Sequence, residues 1–369
     1  MPQPTIEHAP TPSDHAGVPQ RPGLRWYAAA VVAALTYTAM RFQFNRPYSG
    51  ATWEALYDFT APKPFVTRPL VPILSRPLVD GLGLSVAQAY MVFEFLATVA
   101  LLWVTFRLYR SFLETVPSAL LSGLFLVTLA FPFLLNHQWP IFYPYDTPAI
   151  FFTMALLGAL LRGHWNAALL ITAFAALNRE TALFFPLIAL LLWAHDLTPR
   201  RLGYLAGIAA VAVGVRLGIT MLFVDHPSPS LHFYIDQDLP RVINNLAWAT
   251  SGTNVLVLLG SLSLLPLLWL LVRDAIPAPL ARLRFAAVML FAGLSYVGNW
   301  NEPRIFGELL VLLFIPVTVA LLQVISGQAQ EPFADTGQPS NHRVLSLVDK
   351  HGIAIIAISA ILPLLYFLL

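Results

Sequence analysis

The stretch FYPYDTPAIFFTMALLGALL, residues 142–161, places a single carboxylate, Asp146, at the start of a long apolar run. No charged side chain follows Asp146 until Arg162. A run of this kind approaches the roughly 20 apolar residues that cross a bilayer as a helix. The following Thr147-Pro148 suits a first helical turn, so Asp146 is predicted to be the N-cap of a membrane helix.

The composition of the whole chain indicates an integral membrane protein. Apolar residues make up 57% and charged residues 11%, whereas soluble domains carry about 25% charged residues. The chain has no cysteine, which excludes disulfides and thiolate chemistry. Residues 1–24 are rich in proline and polar residues and are predicted to be a disordered tail. Residues 25–369 are predicted to form a single integral membrane domain.

The predicted fold class is all-α, a polytopic transmembrane helix bundle with interfacial helices in the first outer loop. Residues 164–195 leave two alternatives open, because about 48 Å of helix is long for one span and short for two. They form either a hairpin of short helices or one long tilted helix. The predicted spans, about eleven, are 25–42, 86–106, 117–135, 147–161, 165–178, 181–195, 202–223, 253–272, 285–298, 304–323 and 352–369.

The basic residues favour a cytoplasmic N-terminus. With that orientation, twelve of the 21 Lys and Arg residues lie on the inner side and eight on the outer side, with Arg216 inside a span. This is the bias expected of cytoplasmic loops. The inner connections are short, whereas the outer segments hold nine of the 19 Asp and Glu residues and seven of the ten Asn residues. The outer face is therefore predicted to carry the chemistry.

The first outer loop supplies two acids and a basic amphipathic stretch. Glu54 and Asp58 are four residues apart, so a helix over 52–59 would place both on one face. The segment 68–83 alternates apolar residues with Arg68 and Arg76 and is predicted to lie in the membrane interface. A carboxylate here could act as a base on an acceptor hydroxyl, and Arg68 could bind a phosphate.

The second outer segment is NHQWPIFYPYD, residues 136–146. Tyr143 and Tyr145 fit an aromatic belt at the membrane surface. Asn136, His137 and Gln138 are not residues of an aromatic belt. Together with Asp146, they suggest hydrogen bonds to a polar ligand such as a sugar.

The third outer segment is NRET, residues 178–181, between two apolar runs. Charges at this depth are costly unless paired or hydrated. Arg179 and Glu180 point to different sides of a helix, so each needs its own partner. Asn178 and Glu180 are expected to bind substrate alongside Arg179, whose guanidinium could hold a phosphate in a bidentate fork.

The fourth polar signature is NEPR, residues 301–304, at the start of a later span. Glu302 is predicted to cap that helix. Arg304 and Asn301 are predicted to contact substrate at the outer interface. Glu94 and Glu308 lie deeper in their spans and are expected to be hydrogen-bonded within the bundle. The loop 224–252 carries histidines and aspartates, but their spacing matches no metal-ligand pattern, so no metal or cofactor is predicted.

The signatures YPYD, NRET and NEPR, together with the long acidic first outer loop, resemble the GT-C superfamily of polytopic membrane glycosyltransferases over residues 25–324. They are similar to short motifs of bacterial members that use polyprenyl-phosphate sugars. The resemblance implies that an acid in the first outer loop, Asp58 or Glu54, is the catalytic base. It also implies that arginines hold the donor phosphate. Asp146 is a further catalytic candidate.

The implied reaction is a direct displacement at the outer face of a bacterial inner membrane. The donor is a polyprenyl-phosphate sugar, the acceptor is a lipid or glycan, and no nucleic acid takes part. Two alternatives remain. One is a polymerase or ligase of undecaprenyl-linked polysaccharide, and the other is a transporter or flippase with charges near the bilayer midplane.

Overall fold

The computed structural model describes residues 23–111, 113–135, 139–226 and 241–326. Within these ranges the protein is all-helical, with 77% helix and no strand, as the sequence predicts. The α-helices are α1 Leu24–Phe44, α2 Trp53–Tyr57, α3 Leu70–Arg76, α4 Val86–Tyr109, α5 Thr115–Phe133, α6 Asp146–Leu161, α7 Trp165–Asn178, α8 Phe185–Trp193, α9 Pro199–Leu222, α10 Arg241–Trp248, α11 Gly252–Ser261, α12 Leu265–Val272, α13 Ala278–Ala281, α14 Leu283–Val297 and α15 Gly307–Ser326. A π-helical turn spans Pro77–Gly81, and 3₁₀ turns span Glu180–Phe184, Arg273–Ala275 and Pro303–Phe306.

Several of these helices are long and apolar enough to cross a membrane. In the described part of the chain there are five, or six if the pair α10 and α11, bent by 105°, counts as one broken span. Three shorter apolar helices cover Asp146–Leu161, Trp165–Asn178 and Glu180–Trp193. The five are Val86–Tyr109, Thr115–Phe133, Pro199–Leu222, Ala278–Val297 and Pro303–Ile325. The chain is therefore a multi-pass membrane protein.

The helices divide into one central helix and a lipid-facing periphery. Every residue from 303 to 320 is buried, as expected for a helix that is apolar all round. α15 packs against α5, α6, α12 and α14. Outer helices expose large side chains instead, such as Leu120 (69%), Met221 (70%) and Leu271 (80%). Apolar surfaces of this extent mark contact with lipid rather than water.

Residues 164–195 form two short helices, which decides between the two alternatives. α7 ends at Asn178, Arg179 has extended backbone angles (φ −158°, ψ 152°), and the chain resumes as a 3₁₀ turn before α8. α7 packs on α6 and α9, whereas α8 packs on α9 and α14. The break places two charged side chains, Arg179 and Glu180, between the two helices.

The predicted span 253–272 is divided into two helices, α11 and α12. The chain breaks between α11 and α12, where Ser263 and Leu264 adopt positive φ angles of 53° and 55°. Pro266 lies in the first turn of α12. Because proline lacks a backbone N–H and clashes with the preceding turn, it begins a new helix rather than continuing the old one. The predicted tail and the span 352–369 lie outside the described residues, apart from residues 23 and 24.

The polar outer segments meet at one end of the bundle. The first outer loop pairs with the segment before α6 through Arg46 N–H to Pro140 O (2.9 Å) and Phe142 N–H to Arg46 O (3.0 Å). The same loop reaches the end of α9, where Lys63 Nζ donates to Val224 O at 2.9 Å. These contacts place side chains from distant parts of the sequence in one region.

The predicted interfacial segment is helical. α3 and the π-helical turn after it leave Ile73 (52%), Leu74 (47%) and Leu82 (71%) exposed beside the exposed Arg76. An apolar surface with a basic edge is typical of a helix lying in a membrane interface. The neighbouring helix α2 is shorter than the predicted 52–59.

Candidate functional site

Asp146 lies at the centre of a buried ionic cluster. It is the first residue of α6, its side chain is fully buried, and it makes no capping hydrogen bond. Its Oδ1 lies 3.6 Å from Arg179 Nη1, and its Oδ2 accepts a hydrogen bond from Arg304 Nη1 at 3.3 Å. The N-cap prediction is therefore wrong, because two guanidinium groups compete for the carboxylate. The charge still lies favourably at a helix N-terminus.

Arg179 and Glu180 take separate partners because the extended backbone between the helices sends them apart. Arg179 Nη1 also donates to Glu308 Oε2 at 3.4 Å. Glu180 receives Arg68 Nε at 3.2 and 3.1 Å on its two oxygens. Arg216 Nη2, from the middle of α9, donates to Glu180 at 3.4 Å. The two neighbouring residues at the break therefore belong to different ionic groups. Arg179 pairs with Asp146 and Glu308, whereas Glu180 pairs with Arg68 and Arg216.

Arg304 joins the cluster from the turn that precedes α15. Its Nη2 donates to Glu302 Oε2 at 3.0 Å, and Glu302 Oε1 accepts from Asn299 Nδ2 at 3.0 Å. Glu302 occupies the predicted N-cap position of the 3₁₀ turn Pro303–Phe306, but its side chain makes no capping hydrogen bond. The arginine offers it a stronger, charge-assisted partner. Asn301, predicted to bind substrate, is half-buried in the same loop.

We call Asp146, Arg179, Glu302, Arg304 and Glu308 the outer cluster. The exposed fraction of the side chain differs among its members. The side chains of Asp146 and Glu308 are 0% and 2% exposed, the two arginines are 7% and 6%, and Glu302 is 17%. The cluster is therefore approached from the side of Glu302.

A pair of stacked tyrosines connects the outer cluster to Arg68. The rings of Tyr143 and Tyr145 are 5.1 Å apart and nearly parallel. The guanidinium of Arg304 lies 4.3 Å from the Tyr143 ring, and that of Arg68 lies 4.5 Å from the Tyr145 ring. Laid end to end, these distances limit the separation of the two guanidinium carbons to about 14 Å. Arg68 and Arg304 therefore lie in one region, and Arg179 joins them there because it shares Asp146 with Arg304.

The electrostatics keep these groups in defined protonation states. Burial raises the pKa of Tyr145 to about 12, against a lowering effect of Arg68. Tyr145 is therefore a neutral phenol at physiological pH. Burial, the largest single effect, lowers the pKa of Arg68, but the combined effects of Glu180, Tyr145 and Asp146 outweigh it and hold the pKa above its ordinary value. Arg68 is therefore a permanent cation beside a neutral ring.

Unused hydrogen-bonding capacity surrounds the cluster. Asn178 Nδ2 donates to Tyr145 O at 2.9 Å. Its Oδ1, the Tyr145 hydroxyl and Arg304 Nε are buried and have no hydrogen-bond partner among the described residues. Buried polar groups normally have partners. Three such atoms on residues of one site indicate a place where a polar ligand or water binds.

The two acids of the first outer loop lie beside this site but outside its ionic network. Leu56, on α2, belongs to the same buried group as Tyr143 and Tyr145. Glu54 and Asp58 are exposed, and within the described residues neither carboxylate forms a hydrogen bond or an ion pair. His137, the other predicted contact, lies outside the described residues.

Sequence reasoning missed two members of the ionic network as site residues. Glu308 was expected to be buried and hydrogen-bonded, and it pairs with Arg179 and accepts from Thr181 at 2.7 Å. The signal was its i, i+4 spacing from Arg304, which places both on one helical face. Arg216 donates to Thr67 O at 2.7 Å and to Ala176 O at 3.2 Å. The sequence signal for Arg216 was its position as a lone cation in an apolar helix, where a charged side chain needs a partner.

A second arginine–carboxylate pair, Arg41 and Glu94, lies against the first turn of α6, and we call it the interior pair. Arg41 Nη1 donates to Glu94 Oε1 at 2.7 Å, and both side chains are fully buried. Thr147 lies 2.7 Å from the same carboxylate. The guanidinium lies 4.6 Å from the Phe133 ring and 4.9 Å from the Phe142 ring. This arrangement fixes α1, α4 and α6 against one another.

Within the described residues, no group of three or more His, Cys, Asp or Glu side chains could hold a metal ion. No protein-family model matches the chain, and no curated protein shows significant similarity to it.

Proposed function

We propose that this protein is a membrane glycosyltransferase of the GT-C type. It moves a sugar from a polyprenyl-phosphate carrier to a lipid or glycan acceptor at the outer face of a bacterial inner membrane. In this proposal the bundle has about eleven spans and a cytoplasmic N-terminus. The observation that carries the proposal is the convergence of Arg68, Arg179 and Arg304 at the end of the bundle where the polar loops meet.

The arginines support the leaving-group half of the reaction. A sugar on a prenyl phosphate leaves its phosphate with added negative charge. Guanidinium groups held in place by carboxylates and tyrosine rings stabilise that charge without reorganising. α3 begins two residues after Arg68 and exposes Ile73 and Leu74. In this proposal the prenyl chain of the donor lies along that apolar surface.

The first outer loop supplies the carboxylates for the acceptor half of the reaction. Glu54 and Asp58 are exposed and unpaired in the described structure, so either carboxylate can accept the acceptor's hydroxyl proton. The resulting alkoxide attacks the anomeric carbon, the bond to the phosphate oxygen breaks, and the configuration inverts. Asp146 is buried between two arginines, which favours a role as a positioning residue for the phosphate-binding groups.

A transporter is the second candidate, and two observations favour it. The chain breaks at Arg179 between α7 and α8, and α10 and α11 are bent by 105°. The interior pair places a charge pair inside the bundle. Discontinuous helices and interior charges are typical of transport proteins. A polymerase or ligase would use the same carrier chemistry and differ only in its acceptor.

The test is donor turnover by purified protein in lipid. The wild type receives a panel of polyprenyl-phosphate sugars with lipid and glycan acceptors, alongside Asp58→Asn, Glu54→Gln, Asp146→Asn and Arg179→Lys. We expect donor consumption that falls at least 100-fold in one of the two first-loop variants, because loss of a general base costs about 10²–10⁴-fold. Arg179→Lys keeps the positive charge but loses the two parallel N–H donors of the guanidinium, and we expect it to lower the rate of donor turnover.

The same protein in sealed vesicles separates the two candidates. Donor consumption without movement of lipid across the membrane supports transfer. Movement of a labelled polyprenyl-phosphate sugar across the bilayer, with no product formed from any acceptor, would replace the glycosyltransferase with the transporter.

A further inference from the structure

The arginines of the site are already neutralised by the protein's own acids. Four guanidinium groups, those of Arg68, Arg179, Arg216 and Arg304, pair with four carboxylates. Those carboxylates belong to Asp146, Glu180, Glu302 and Glu308. A phosphate that enters this balanced set brings an excess negative charge. The least costly way to admit it is to release one carboxylate.

The four carboxylates are not equally held. Asp146 and Glu308 are buried, so release would leave an unpaired charge in the interior, which is strongly unfavourable. Glu180 is bound by two arginines and by the Thr67 hydroxyl at 3.4 Å. Glu180 is more exposed than Glu302, 34% against 17% of the side chain, but two arginines hold it. Glu302 binds one arginine nitrogen and one amide. With a single arginine partner and a partly exposed side chain, Glu302 is the carboxylate that is released most easily.

Arg304 also has an unused donor beside the one that Glu302 occupies. Its Nη1 serves Asp146 and its Nη2 serves Glu302, whereas its buried Nε has no hydrogen-bond partner among the described residues. Nε and Nη2 together form one edge of the guanidinium fork. A single carboxylate oxygen uses half of that edge, but a phosphate would use both nitrogens.

We propose that Glu302 is a built-in substitute for the ligand's phosphate, which displaces it from the Nε and Nη2 edge of Arg304. This inference rests on the proposed function, since it assigns the donor phosphate to Arg304. Glu302 then determines how tightly the site binds an anionic headgroup. Removing this acid strengthens binding, which is the opposite of the result expected for a residue that contacts the substrate favourably.

The test is direct binding of farnesyl phosphate, measured by titration calorimetry on the full-length protein in lipid nanodiscs. We expect Glu302→Gln to lower the Kd by roughly three- to tenfold, the effect of removing a partly exposed ion pair as competitor. Arg304→Gln is expected to weaken binding at least tenfold. Asp225→Asn removes one exposed carboxylate near the outer loops without touching an arginine and is expected to leave the Kd unchanged.

Inorganic phosphate and farnesol serve as further ligands and separate the headgroup from the chain. If Glu302→Gln strengthens binding of inorganic phosphate as much as that of farnesyl phosphate, and the chain adds no affinity, the site is for a free anion and the lipid assignment is overturned. An unchanged or higher Kd for farnesyl phosphate in Glu302→Gln overturns the inference, even where donor turnover supports the enzyme. Stronger binding in that variant without turnover of any donor keeps the inference and removes the glycosyltransferase.

Discussion

The outer cluster and the interior pair use the same chemistry, arginine against carboxylate, in different surroundings. Arg41 and Glu94 are sealed from solvent, face each other at 2.7 Å, and are flanked by aromatic rings. The outer cluster has longer contacts of 3.0 to 3.6 Å, shared arginines and a surface-reaching acid, Glu302. A closed pair fixes helices, whereas a shared and partly open set can exchange partners.

The largest effect is expected from breaking the interior pair. Arg41→Ala leaves Glu94 charged and unpaired in the bundle, which costs about 3–5 kcal/mol. Thermal unfolding in detergent would show this loss directly. The matched control is the double variant Arg41→Met with Glu94→Met, which removes both charges and retains side-chain volume. It is expected to be much more stable than the single variant. Equal destabilisation of the two would show that the charge pairing is not what matters.

Asp146→Asn is expected to have an intermediate effect on stability. The variant leaves Arg179 and Arg304 without their common partner, but Glu308 and Glu302 still neutralise them. We expect a loss of about 2 kcal/mol, less than for the interior pair. Chemical unfolding of both variants in the same detergent provides the comparison. A larger loss for Asp146→Asn than for Arg41→Ala would reverse the order of the two regions.

Arg216→Ala is expected to loosen the first outer loop rather than the bundle. Its guanidinium ties Thr67 to α7 and α9 through hydrogen bonds worth about 1–2 kcal/mol together. Hydrogen exchange should accelerate over residues 60–70 while α4 and α15 stay protected. Uniform acceleration along the chain would mean that Arg216 supports the whole bundle.

The smallest effect is expected at the opposite end of the bundle. Asp196 and Arg201 form a partly exposed ion pair between α8 and α9, and ion pairs near the surface contribute less than about 1 kcal/mol. Asp196→Asn should leave both unfolding and donor turnover within error of the wild type. A marked loss would show that chemistry is not confined to the end where the polar loops meet.

The sequence predicts the helices well where apolar runs are long and uninterrupted, because burial in lipid decides them. It also predicts that the outer segments gather, since topology places them on one side. The sequence does not predict which charged side chains form ion pairs with one another. Asp146 is equally compatible with a helix cap and with an ion pair, and only the positions of Arg179 and Arg304 decide. Likewise, Ser263 and Leu264 carry no sequence signal for a break beyond the proline that follows.

The interior pair has a consequence for how the protein is made. Glu94 follows Arg41 by 53 residues, and Thr147 follows it by 106. At about 5–20 residues per second, the first helix waits about 3–10 s for its counter-charge. An arginine at the centre of a lone membrane helix costs about 2.5–3.5 kcal/mol, and Arg41, in the last turn of α1, costs less than this. α1 is not among the five described helices that are long and apolar enough to cross a membrane, so we expect it to settle in the membrane only when α4 supplies Glu94.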